Sequence, residues 1–326
     1  KLNLVHKMGL DIPKEDKSII PIFIPHRGCK NECVFCNQKK ISGEMRTVTP
    51  SDVRQEILNW LNNFKIKNRP VQVAFFGGSF TGLELNEQEE FLKVAYEFIK
   101  EKKVESIKLS TRPDYINEEN LELLKRYRVR CIELGVQSMA DDVLYASKRG
   151  HTAQDVKVAS KLIKKYKFEL GHQIMIGLPN STEEKEIYTI KECYVLKDSK
   201  LYDMAINKEY MPLTLEEAIE RTKKVYEECV KHKVNVIRIG LQTTEEINED
   251  NMNILGPVCD NYKERILSSI AKDELCKKVS KLKKYNKVNI IVPEKTKNFV
   301  IGNKKENIEY FEKELNTIIH VKSNKL

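Results

Sequence analysis

Five short runs of apolar and β-branched residues, at 19–24, 71–76, 104–110, 129–135 and 169–176, alternate with longer segments of helical period. Parallel strands need a crossover of a dozen or more residues, usually a helix, and read as near-continuous apolar runs because both faces are covered. Helical patterns at 51–64, 86–102, 117–127, 140–147, 152–166 and 181–191 supply those crossovers. Thr49-Pro50 and Ser181-Thr182-Glu183-Glu184 have the cap, proline and acidic first-turn chemistry of helix starts. The pattern confines the chain to an α/β fold, a parallel barrel or open sheet, in which ligands gather at the carboxyl ends of the strands. An amphipathic helix at 213–231 and a strand at 235–240 follow. Residues 193–197 are the one candidate for a sixth strand before 200. The connection there is short, so either the barrel is locally abbreviated or a stretch of native sequence is missing.

The first strand runs directly into Cys29-Lys30-Asn31-Glu32-Cys33-Val34-Phe35-Cys36, which places three thiols at CxxxCxxC spacing. Cysteine thiolates hold iron–sulfur clusters, and three of them can wrap one face of a cubane and leave one iron open. Zinc usually pairs CxxC with a second CxxC or with two histidines. Here no second CxxC exists, and His26 is the one histidine nearby. A disulfide framework fits poorly, because no signal peptide is evident and the chain reads as cytoplasmic. The other cysteines, Cys131, Cys193, Cys229, Cys259 and Cys276, lack ligand spacing and read as core residues.

Further motifs stand at the strand ends. They are Gly77-Gly78-Ser79-Phe80-Thr81, Thr111-Arg112-Pro113-Asp114-Tyr115, Glu133-Leu134-Gly135-Val136-Gln137-Ser138, Lys148-Arg149-Gly150-His151-Thr152 and Gln173-Ile174-Met175-Ile176-Gly177-Leu178-Pro179. The cysteine loop resembles that of the radical S-adenosylmethionine (SAM) enzymes. The whole set, from about residue 20 to residue 248, resembles the radical SAM domain of the catalytic subunit of Elongator, which modifies carbon 5 of wobble uridines in tRNA. Two departures accompany the likeness. Elongator spaces its first two cysteines further apart, and the loop here is closer to that of oxygen-independent coproporphyrinogen oxidase. Nor does any segment after Asn248 resemble an acetyl-coenzyme A pyrophosphate loop, so the likeness does not extend to the acetyltransferase domain.

The resemblance implies a partial (β/α)6 parallel barrel, with Cys29, Cys33 and Cys36 on a 4Fe–4S cluster and SAM on its open iron. It places Gly77, Gly78 and Ser79 at the amino group of SAM, although Gly-Gly after a strand is also a common turn. Gln137 and Arg149 fall where family members contact SAM. An arginine offers a carboxylate a bidentate fork, and the plain alternative for Arg149 is a surface salt bridge. Glu133 has two readings, ribose or substrate contact and an internal ion pair with Arg112. Arg112 and Asp114 either pair with each other or face substrate. Tyr115 reads as packing, and His151 as a helix-start residue rather than a catalyst. Val34 and Phe35 shield the cluster or simply pack the loop.

The charge is uneven. Of the net +9 over 326 residues, thirteen lysines against five glutamates place +8 in the last fifty. Such a concentration suggests an anionic polymer as partner. Strands at 288–292 and 318–321 flank helices at 296–301 and 306–315. Gly302, Asn303, Lys304 and Lys305 lie between those helices, where a KH module carries the GxxG loop that clamps a nucleic-acid backbone. Lys305 stands in place of the second glycine, and a basic capping subdomain is the plain alternative. The expected division is a barrel at 1–248, a basic, partly helical linker at 249–286 and a KH-like module at 287–326. The expected activity is radical SAM modification of RNA, near carbon 5 of a tRNA wobble uridine, with flavodoxin or ferredoxin as electron donor and no membrane. A radical SAM oxidase or decarboxylase of a small metabolite, and an RNA-binding protein with a structural or redox-sensing cluster, are the alternatives.

Overall fold

The computed structural model describes residues 2–5, 17–24, 28–29, 31–36, 48–64, 69–187, 195–196, 208–231, 233–236, 238–240, 254–257, 259, 261–279, 287–316 and 318–324. Two compact units are present. One comprises residues 15–213 with 243–257; the other comprises 1–14, 214–242 and 258–326. The first strand of the chain, β1 (Leu2–Val5), belongs to the second unit.

The larger unit is a sheet of five parallel strands in sequence order. These are β2 (Ser18–Ile24), β3 (Val71–Gly77), β4 (Ser106–Thr111), β5 (Val129–Gln137) and β6 (Glu169–Ile174). The crossovers are α1 (Pro50–Asn63), α2 (Leu85–Lys100), α3 (Glu118–Arg126), and α4 (Asp141–Ala146) followed by α5 (Ala153–Lys165). Strand residues alternate between faces. One face carries Ile20, Ile22, Ile24, Val73, Phe75, Ile107, Leu109, Ile132 and Leu134, packed with Ile57, Phe91, Leu92, Leu124 and Ile163 of the helices. Each such side chain contributes about 1.5–3 kcal/mol when fully buried. The alternate positions of β4 and β5 hold Lys108, Ser110 and Glu133, all buried. A polar opposite face is thereby built into the sheet.

Helix starts are set chemically. Thr49 and Asp52 form a capping box at α1, with Pro50 in its first turn. Thr152 and Asp155 form another at α5. At the carboxyl ends, Ile24 is paired with Gly77 and Gln137 with Ile174. The register shifts between Gly135 and Gln137, where Gln137 takes a φ of 66°. A bulge of this kind re-aims the strand end.

The expected sixth parallel strand is not part of this sheet. Instead β7 (Val195–Leu196) pairs antiparallel with β8 (Ile254–Leu255); the rest of 193–197 lies outside the described residues. A short α6 (Glu183–Ile187) covers part of the helix expected at 181–191, and residues 188–191 are likewise outside. The β-branched residues at 235–240 form no strand among those described. Strand propensity counts only where a neighbour completes the ladder.

The smaller unit contains α7 (Leu215–Lys231), α8 (Tyr262–Val279), β9 (Lys287–Pro293), α9 (Lys297–Ile301), α10 (Glu306–Leu315) and β10 (Ile318–Asn324). Its sheet has the order β1-β9-β10, all parallel. The buried Lys223 ammonium joins α7 to α8 by donating to Glu220, to Asp273 at 2.7 Å and to Ser269. These units cut the chain differently from the expected division, because α7 groups with the C-terminal strands and helices.

Candidate active site

The cysteine loop sits at the carboxyl end of β2, and two backbone anchors hold it. Gly28 approaches the turn at 79–82 so closely that a β-carbon on it would lie 2.1 Å from the Ser79 carbonyl oxygen. The second anchor is the Val34 N–H, which donates to the Ser147 carbonyl at 3.2 Å. Val34 is buried against Val143 and Leu178, with Phe35, Met175 and Tyr210 around them. Val34 therefore packs the loop, which was the plain alternative to shielding a cluster.

Within this frame the thiols have distinct neighbours. Cys29 Sγ lies 3.2 Å from the buried Ser79 Oγ. Cys33, itself buried, accepts an N–H from Arg149 Nη1 at 3.3 Å. The Cys36 N–H donates to the Cys33 carbonyl and closes the turn. None of the three is in a disulfide. Ser79 was expected at SAM; its hydroxyl is beside the first cysteine.

Arg149 is 7% exposed, so the surface salt bridge considered for it is excluded by burial. Its Nη2 donates to the Gly135 carbonyl at 2.7 Å. A β-carbon at Gly135 would stand 2.7 Å from that nitrogen, so a larger residue there would make the guanidinium shift. The remaining nitrogen, Nε, is buried with no partner among the described residues. Gln137 follows on the bulge and is buried.

Glu133 is also corrected. Its partner is Lys108 at 3.1 Å, not Arg112. Ser110 Oγ and Gln173 Nε2 donate to its other oxygen at 3.3 and 3.0 Å. Lys108 stands 5.5 Å over the Phe76 ring, so charge and aromatic surface share the polar face of the sheet. Arg112 pairs with Asp114 through two hydrogen bonds of 3.0 and 2.9 Å, which settles the choice left open for those two residues. Tyr115 lies under the Arg112 guanidinium, consistent with packing. Gly78 and Ser79 line a small pocket with Ile24, Phe76, Phe80 and Ser110, while Gly77 ends β3.

His151 is buried at 3% exposure, and its Nε2 bonds the Val136 carbonyl at 3.2 Å. Burial, reinforced by the Arg149 and Arg112 charges, pushes its pKa down to about 4. It is a neutral imidazole. Of the remaining cysteines, Cys259 is buried and Cys131, Cys229 and Cys276 are half-buried; Cys193 is outside the described residues. Burial, together with the Glu133 carboxylate, raises Cys131 to about 12, so it stays a thiol.

Sequence reasoning missed Lys108, and it named Gln173 in a strand-end motif without giving it a role. A lysine flanked by Ile107 and Leu109 in a strand was the available signal, because an ionised side chain there must find a partner.

The chemistry of the donors suits a cubane held at three corners, three thiols from one loop with one already accepting an N–H from a buried guanidinium, although among the described residues no three His, Cys, Asp or Glu side chains are gathered as for a single metal ion. Residues 23–193, just over half of the chain, match the Radical SAM superfamily. The chain belongs to the radical SAM superfamily. That superfamily's cofactors are a 4Fe–4S cluster and SAM. Residues 189–273 match the Radical_SAM C-terminal domain.

The radical SAM chain is 28% identical over 183 residues to a tRNA uridine(34) acetyltransferase of Methanocaldococcus infernus, covering 46% of this chain and 34% of that protein. It is 30% identical over 122 residues to Elongator complex protein 3 of Schizosaccharomyces pombe, 37% of this chain and 22% of the other. The aligned region thus spans about a third or less of these curated relatives. Among solved structures, archaeal M. infernus Elp3 lacking its N-terminus (1–46) superposes with a TM-score of 0.59 at 21% identity. That match covers 80% of this chain and 64% of the other, a likeness of fold. No described helix is long and apolar enough to cross a membrane.

In the smaller unit, Gly302, Asn303, Lys304 and Lys305 join α9 to α10, the last three exposed. Gly302, Lys304 and Lys305 have φ of 81°, 47° and 69°. Asn307, buried at the start of α10, donates to the Ser268 and Phe299 carbonyls and fixes the loop's exit.

Proposed function

We propose that this radical SAM enzyme modifies RNA, near carbon 5 of a tRNA wobble uridine. One conjunction supports it: a three-thiol loop seated at the strand ends, in a chain whose relatives include proteins named for tRNA uridine 34. When bound, the cluster and SAM supply a 5′-deoxyadenosyl radical on one-electron reduction by a flavodoxin- or ferredoxin-like donor. Cys29, Cys33 and Cys36 would each hold one iron. Gly77, Gly78 and Ser79 would offer backbone and hydroxyl groups to the SAM amino group, because their turn leaves the chain approachable. Gln137, Glu133 and Arg149 would complete its polar contacts.

Excluding water matters here, since an uncontrolled radical attacks any nearby C–H bond. Val34 and Phe35 would close one side of the loop. Gly302, Asn303, Lys304 and Lys305 would take RNA phosphates, as exposed backbone and ammonium groups can. The test is a comparison of nucleosides in total tRNA with and without the gene. Loss of one modified uridine supports the proposal, and an unchanged profile overturns the RNA substrate.

A further inference from the structure

We propose that Arg149 is a positioning residue for electron transfer: its guanidinium on Cys33 raises the reduction potential of the cluster. The inference rests on the radical SAM reading of the cysteine loop.

A buried guanidinium demands an anion or full hydrogen bonding. Arg149 has neither among the described residues. It makes no ion pair with a carboxylate, one nitrogen is buried without a partner, and the other two reach a backbone carbonyl and Cys33 Sγ. The group it faces is Cys33 of the cysteine loop, a sulfur that carries negative charge once it holds a cluster.

The neighbours decide how much positive charge is left over. Arg112, 1% exposed, also interacts electrostatically with Cys33, but Asp114 answers its charge with two hydrogen bonds. His151 interacts with both guanidiniums and is neutral. Among the described residues, one cation without a carboxylate partner therefore stands at this sulfur.

Cluster potentials respond to net charge and to hydrogen bonds on the sulfurs. A low-potential one-electron donor gives one electron to the cluster, which gains one negative charge and takes up no proton. The adjacent guanidinium favours that more negative state. The same arginine was expected at the SAM carboxylate, so the two roles must be separated, and leaving SAM out separates them.

The test uses the full chain with its cluster reconstituted, titrated with dithionite in the absence of SAM and followed by electron paramagnetic resonance. For Arg149→Gln, the ratio of reduced to oxidised cluster at a fixed potential should fall about tenfold, which is about 59 mV for one electron. Arg149→Lys, which keeps the charge, should fall less. Asp114→Asn frees the charge of Arg112 and should move the potential upward. A merely structural disturbance would not give shifts of opposite sign. An unshifted potential in Arg149→Gln, or a downward shift in Asp114→Asn, overturns the assignment while the radical SAM reading stands. A wild-type chain that takes up no 4Fe–4S cluster overturns both.

Discussion

Gly28 and Gly82 meet backbone to backbone: a β-carbon on Gly82 would stand 2.1 Å from the Gly28 carbonyl oxygen. This contact seats the cysteine loop on the turn that follows β3. Gly82→Ala forces the two segments apart at a cost of about 1–3 kcal/mol, typical of overpacking. Iron and sulfide bound per chain after reconstitution should fall several-fold while far-ultraviolet circular dichroism is retained. Full cluster content in the variant would contradict the proposed seat.

Lys108 and Glu133 are 3% and 5% exposed, so removing one partner strands the other. Glu133→Ala should lower stability by about 3–5 kcal/mol, measured by urea unfolding of the cluster-free protein. The double variant Lys108→Met, Glu133→Leu should lose less than the single one, because no buried charge is left over. A double variant as unstable as the single would show that the pair acts through something other than charge.

His151 gives the cluster-free protein an acid sensitivity of definite sign. Its pKa is about 4 when folded, against about 6.5 for an unperturbed histidine. Between those values the unfolded chain binds a proton that the folded chain does not, so stability falls as pH drops from about 6.5 to about 4. The full loss is about 3 kcal/mol at 1.36 kcal/mol per unit. Urea midpoints across this range should slope in the wild type and flatten in His151→Gln.

Lys305 occupies a left-handed conformation in which a side chain costs about 1–2 kcal/mol. Lys305→Gly removes that strain but loosens the unfolded chain, for a net gain of at most about 1 kcal/mol. Binding to bulk tRNA should nevertheless weaken, with the slope of log affinity against log salt shallower by about 1. Opposite movements of stability and affinity would mark the loop as a phosphate contact. Unchanged affinity would remove it from the RNA surface.

Much of the frame was legible in the sequence because strands buried on both faces cannot hide their apolar runs. The β/α order and the strands at 19–24 and 71–76, the second observed to run one residue further to Gly77, followed from that periodicity and from caps such as Thr49. The helix–loop–helix around Gly302 was legible for the same reason. Side-chain pairing was not. Nothing local says that Glu133 meets Lys108 rather than Arg112, because both are cations on the neighbouring strand or at its end and register decides between them. Arg149 is the sharper case. Its sequence neighbourhood marked it for the site, but Gly135, fourteen residues earlier, makes the room that turns it onto Cys33. The described residues of 235–240 form no strand, because propensity carries no information about a hydrogen-bonding neighbour.

The central claim is that Cys29, Cys33 and Cys36 carry a cluster that cleaves SAM reductively. The direct measurement is chromatography of 5′-deoxyadenosine released by the reconstituted full chain given SAM and dithionite. Wild type should release 5′-deoxyadenosine and methionine in equal amounts, and Cys33→Ala should release neither. No product from a wild-type chain with a full 4Fe–4S complement, or equal release by Cys33→Ala, would contradict the account.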